Sequence, residues 1–102
     1  MFAQFFPTIL ESFPVKPENG DVFTVKEIKS FFGDDCTNVS VLCETIKNSD
    51  RQIAIVQNSE NTSKIHNVTA TTTLRGLGVF SRRERVFGPI LLCDSRLLPE
   101  KL

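Results

Sequence analysis

The tetrapeptide Thr24-Val25-Lys26-Glu27 constrains this chain more than any other stretch, because it is the signature of a helix N-terminus. A threonine at the cap accepts the backbone N–H of the residue three places on, and a glutamate there reaches back to the cap's own N–H. Val25, Ile28, Phe31 and Phe32 then fall at i, i+3, i+6 and i+7, which makes one apolar stripe, and Gly33 supplies the stop. The spacing predicts a helix over 25–32 with a single face to bury. That stripe must cover an apolar surface, and the alternating segments elsewhere in the chain say that the surface is a sheet.

Residues 38–46 alternate Val39, Val41 and Cys43 with Ser40, Leu42 and Glu44, as a strand does. After the turn-forming Lys47-Asn48-Ser49-Asp50, the run Ile53-Ala54-Ile55-Val56 within 52–57 reads as a central strand, and the two make a hairpin. Residues 86–93 give a last buried strand, in which Pro89 suits only the first positions. Glu11 to Lys16 can run extended, with Phe13 and Val15 on one face, before the turn Pro17-Glu18-Asn19-Gly20. Residues 1–12 alternate poorly and are expected to be an irregular or short helical lead-in, and 95–102 a tail. The β-branched run Val68 to Leu74 is open between a strand and a short helix capped by Asn67. The expected fold class is α+β: one main helix packed on a small, mostly antiparallel sheet, in a single domain spanning 1–102. The expected core holds Phe23, Ile28, Phe31, Val41, Ile53, Ile55, Ile90 and Leu92.

Composition sets the scale of this object. With 102 residues there is room for one domain, and 40% hydrophobic against 24% charged residues is the balance of a globular chain rather than a disordered one. All nine aromatic residues are Phe, which packs dry because it has no polar edge to satisfy. Twelve acids balance twelve bases, which argues against a general nucleic-acid binder. The charges are segregated: residues 1–50 hold eight acids and four bases (−4), and 51–102 hold four acids and eight bases (+4). Cys36, Cys43 and Cys93 are odd in number, lack CxxC spacing and share the chain with one histidine, His66. They read as largely buried thiols of a reducing compartment, not as a disulfide framework or a metal site. The apolar start has no basic residue and is broken by Pro7, so it makes a poor signal peptide, and no run is long enough to span a bilayer. A cytoplasmic location, that of a host cell if the chain is viral, is the expectation.

The order of elements, together with Lys16-Pro17-Glu18-Asn19-Gly20, the helix Phe23 to Gly33, the step Asn67-Val68-Thr69-Ala70-Thr71 and the closing Phe87-Gly88-Pro89-Ile90-Leu91-Leu92-Cys93-Asp94, resembles an uncharacterised family of phages, bacteria and some algae or their viruses, domain of unknown function 3846. The resemblance spans about 14–96. The chain departs from that pattern twice: Gly33-Asp34 stands where the family has a glycine pair, and Asn58-Ser59-Glu60-Asn61 where it has an acidic-glycine turn. The resemblance implies one helix against a small sheet, a short helical turn at 67–73 and a viral origin. It implies no activity.

The candidate catalytic groups are sparse. His66 stands alone in a polar loop, Cys36 and Cys43 have no deducible base, and Asp34-Asp35 follow a helix C-terminus, where their charge suits a solvated loop better than acid–base work. Gly76-Leu77-Gly78 lacks the strand-then-helix setting of a phosphate loop. No catalytic residue, metal or cofactor is expected. The candidate binding residues are Arg75, Arg82, Arg83 and Arg85, flanked by Phe80 and Phe87. Guanidinium forks match carboxylates and phosphates, and an aromatic beside arginines suits a protein interface. The expected function is a small non-enzymatic protein-interaction or inhibitor module of a viral accessory kind. Its partner is a protein, with a homodimer through an open sheet edge as a further possibility. The alternatives are a nucleic-acid binder, or a sequestering protein for a phosphorylated small ligand, through the same 75–85 segment. A membrane partner is not expected.

Overall fold

The computed structural model describes residues 1–101. The predicted capping box is formed. Glu27 N–H donates to Thr24 Oγ1 at 3.1 Å, Thr24 N–H donates to Glu27 Oε1 at 2.9 Å, and the helix α1 runs over Val25–Ser30. The second carboxylate oxygen accepts Glu18 N–H at 2.9 Å, so one side chain also ties down the preceding turn. These backbone donors hold the Glu27 carboxyl below its ordinary pKa. The helix stops two residues earlier than expected. Phe31, Phe32 and Gly33 donate to carbonyls three residues back, which tightens the last turn, and Gly33 leaves at φ +112°. Thr24→Ala should therefore lower the unfolding free energy by about 1 kcal/mol, read from denaturant midpoints. An unchanged midpoint would show that the cap carries no stability.

The sheet has five strands, β1 (Ala3–Phe6), β2 (Phe13–Pro14), β3 (Val39–Thr45), β4 (Gln52–Asn58) and β5 (Ile90–Asp94), in the order β2-β1-β5-β4-β3. Every neighbouring pair is antiparallel, so the α+β class holds, with the sheet predominant. A second helix, α2 (Val68–Gly76), settles the ambiguous threonine run as helical: Asn67 Oδ1 accepts Ala70 N–H at 3.1 Å. It covers the face opposite α1. Ala3, Phe5, Ala54, Val56, Leu91 and Cys93 pack with Phe23 and Ile28 on the α1 side. Phe6, Ile53, Ile55, Ile90 and Leu92 pack with Ala70 and Leu74 on the α2 side. Helices thus lie on both faces of the sheet, α1 on one and α2 on the other.

That double coverage explains the lead-in, which the structure corrects. Residues 3–6 form a strand beside β5, not an irregular segment, and Ala3, Phe5 and Phe6 are buried. A strand apolar on both faces shows no alternation to read. The phenylalanines have a common use here: the Phe5 ring lies 5.6–5.7 Å from those of Phe13, Phe31 and Phe32, joining the β1–β2 hairpin to α1.

Three further expectations change. Val41 is 37% exposed and not core, because β3 is an edge strand whose residues 40–43 are all exposed. The last strand begins at Ile90 rather than 86, since Gly88 turns at φ +78° and Pro89 has no N–H to give a ladder. The expected tail opens with a 3-10 turn at Ser95–Leu97, in which Leu97 is buried and its carbonyl accepts Phe23 N–H at 2.8 Å; Leu102 lies outside the described residues. The other expected core residues are buried, with Phe31 half-buried against the same cluster. The cysteines are free and mostly buried, as expected for Cys36 and Cys93, whereas Cys43 is exposed on β3. Burial pushes the Cys93 thiol up to about 12.

Candidate functional site

The arginine segment begins where α2 ends. Leu77 caps the helix, Gly78 turns at φ +74°, and the N–H groups of Val79 and Phe80 return to the Leu74 carbonyl. A Cβ on Gly78 would overlap Lys47, so only glycine fits this approach to the β3–β4 turn. Phe80 leans half-buried on the α2-side core. Ser81 opens a tight turn in which its N–H donates to Glu84 Oε1 at 2.9 Å and its carbonyl accepts Glu84 N–H. At the far end Val86 N–H donates to Thr71 Oγ1 at 2.9 Å, and the Val86 carbonyl accepts Asn67 N–H at 2.8 Å.

Arg75, expected as a ligand-binding residue, is spent on this loop. Its Nε donates to the Ser81 carbonyl, and its Nη2 donates to those of Arg82 (2.8 Å) and Glu84 (3.1 Å). It is a clamp. Arg82, Arg83 and Arg85 are exposed, and among the described residues their side chains make no hydrogen bond or ion pair. Glu84 forms no ion pair with them among the described residues, and one of its carboxylate oxygens accepts Ser81 N–H. Phe87 stands 40% exposed beside His66, ring centroids 5.9 Å apart. The result is a fixed backbone carrying three exposed guanidiniums without ion-pair partners among the described residues, beside Glu84, with an aromatic ring two residues past Arg85.

The other candidates are placed apart. His66 Nε2 lies 3.1 Å from Thr71 Oγ1. That hydroxyl already donates to the Asn67 carbonyl, so the ring nitrogen must be the donor and the histidine is a structural partner. Cys36 Sγ contacts the Asn38 carbonyl, while Cys43 is exposed on β3 opposite Ala54 of β4. Asp34 and Asp35 are exposed in the turn after α1. Among the described residues no three His, Cys, Asp or Glu side chains converge as metal ligands, and no helix is long and apolar enough to cross a membrane.

Two features went unnoticed in the sequence. A polar cleft of about 360 Å3 is lined by Asp50, Arg51, Asp94, Ser95 and Arg96. In it Asp94, almost fully buried, caps the 3-10 turn and accepts Arg96 at 3.0 Å through both carboxylate oxygens, which holds its pKa down to about 2. The Asp-Ser-Arg order was the available signal, an aspartate capping a turn. The second is a groove of about 160 Å3 between β3 and the arginine loop, lined by Ser40, Leu42, Ile55, Phe80, Arg85 and Val86. Its walls are far apart in sequence, so no local pattern announces it. The chain matches no family model, no curated protein and no solved structure.

Proposed function

We propose that this chain is a small non-enzymatic protein-interaction or inhibitor module that engages an acidic face of a protein partner through the 80–87 loop. The observation that carries the reading is the combination of Arg82, Arg83 and Arg85, exposed and without ion-pair partners among the described residues, with a backbone fixed by Arg75, Thr71 and Asn67. A loop already held in one shape loses little conformational freedom on binding. Phe87 adds an apolar contact of the kind enriched at interfaces. The setting, a viral accessory factor in a host cytoplasm, follows from the family resemblance alone.

The test compares wild type with R82A/R83A/R85A. Both are titrated with an acidic peptide carrying aromatic residues, with duplex DNA and with inorganic pyrophosphate. The expected result is binding of the peptide that falls by about tenfold or more in the variant, while stability moves by less than about 0.5 kcal/mol. Preferred binding of the duplex, with a log–log salt slope near −0.9 per phosphate contacted, would replace this reading with the nucleic-acid one. Preferred binding of pyrophosphate would replace it with the phosphorylated-ligand one. Unchanged peptide binding, or an unfolded variant, would remove the loop as a site.

A further inference from the structure

The two edges of the sheet are treated differently. At one edge β2 is two residues long and contains Pro14, a short strand with a missing donor that cannot template a neighbour. At the other edge β3 runs for seven residues with no proline, no basic residue and one acid, Glu44. Its pairing with β4 fixes which backbone groups are free. The Asn38 carbonyl accepts Ser59 N–H and Ile46 N–H donates to the Arg51 carbonyl, so the even-numbered residues point their N–H and C=O groups at β4. Val39, Val41, Cys43 and Thr45 therefore turn theirs outward. The next odd residue, Lys47, donates its N–H to the Leu77 carbonyl at 3.2 Å, which ends the free run.

We propose that β3 pairs with β3 of a second copy of this chain, antiparallel about a two-fold axis at Leu42, to give a continuous ten-stranded sheet. The occupant is identified by self-complementarity. This register uses the whole free run and sets Val39 opposite Thr45 of the partner subunit, Val41 opposite Cys43 of the partner subunit, and Leu42 opposite Leu42 of the partner subunit. Leu42, 52% exposed in one copy, then meets its equivalent across a pair whose Cβ atoms lie about 5 Å apart. The charges agree as well. Ser40, Leu42 and Glu44 share the α2 face with Gln57, Ile55 and Ile53. The register places Glu44 of the partner subunit opposite Ser40, at the end of the groove that Arg85 lines. A carboxylate thus meets a guanidinium twice, once on each side of the axis. Pairing also closes the assembly, because the edges left over are the two blunted β2 strands. The inference stands apart from the proposed function, from which it takes only Arg85.

Sedimentation over a concentration series tests it on the full chain. Wild type should pass from the 11.5 kDa monomer to a species of twice that mass over the micromolar range. Leu42→Lys places two ammonium groups face to face at the axis, and Val41→Pro deletes an outward N–H that β4 does not use. Each should weaken dimerisation at least about tenfold. Glu44→Arg and Arg85→Glu should each weaken it too, and the double variant E44R/R85E should restore it. Backbone amide exchange gives an independent reading: Val41, Cys43 and Thr45 should slow on dimerisation, while Leu42 and Glu44 are already slow in the monomer. A wild type that stays monomeric to millimolar concentration overturns the proposal. So does a dimer indifferent to both Leu42→Lys and Val41→Pro, or one that the charge exchange does not restore. Loss of binding to an acidic peptide in R82A/R83A, with the dimer intact, would separate the two surfaces.

Discussion

Asn67→Ala should destabilise the protein by roughly 3–5 kcal/mol, far beyond the loss of an ordinary helix cap. Asn67 is fully buried and satisfies three elements at once. Its Oδ1 accepts Ala70 N–H at the start of α2, and its Nδ2 donates to the carbonyls of Phe6 (3.1 Å), at the end of β1, and Gly88 (2.9 Å), just before β5. Alanine would strip a buried donor and two buried acceptors of their partner, each worth about 1–3 kcal/mol when left unmade. Asn67→Asp tests the mechanism. It keeps the helix cap but turns a buried carboxylate toward two carbonyl oxygens, so it should be at least as destabilising as alanine. Denaturant unfolding of the three proteins decides it. A loss under about 1 kcal/mol for Asn67→Ala would mean that water or a backbone shift replaces the amide.

Leu92→Ala should lower stability by about 2–5 kcal/mol, whereas Leu42→Ala in the dilute monomer should change it by less than about 1 kcal/mol. Both are leucines of a strand in the same sheet. Leu92 lies on β5, between β1 and β4, with no exposed surface and with α2 over it. Leu42 lies on the edge strand and is 52% exposed. The difference is the position in the sheet, because a cavity forms only where surrounding atoms cannot follow the retreating side chain. Equal losses at the two sites would show that the edge is buried in solution.

What could be seen from sequence divides along physical lines. The capping box of Thr24 and Glu27, the β3–β4 hairpin and the core at Phe23, Ile28, Ile53, Ile55, Ile90 and Leu92 were legible because each is encoded locally, by a short-range hydrogen bond or by periodicity. Residues 3–6 were not, since a strand covered on both faces loses the alternation that marks strands. Val41 was misplaced for the converse reason: alternation says which side a residue takes, but not whether anything covers that side. In the candidate site the arginines were visible as a charge cluster. The role of Arg75 was not, because a clamp on carbonyls six to nine residues away depends on how the chain turns between them. Asn67 could be read as a helix cap, but not as the link between two strands and a helix.

The place of β5 in the sheet has a consequence for how the molecule is made. Residues 90–94 are the last strand in chain order, yet they form the seam between the β1–β2 pair and the β3–β4 pair. During synthesis everything up to α2 can leave the ribosome while the strand that pairs with both hairpins is still missing. Through that interval the flank of Ala3–Phe6 and the flank of Ile53–Val56 that β5 will occupy stay open, each a short apolar strand with free backbone groups. Cooperative folding must wait for the seam, and the contacts it makes span most of the chain, which slows the search. A nascent chain halted before residue 90 would present two unpaired strand flanks, a natural client for chaperones that shield such edges.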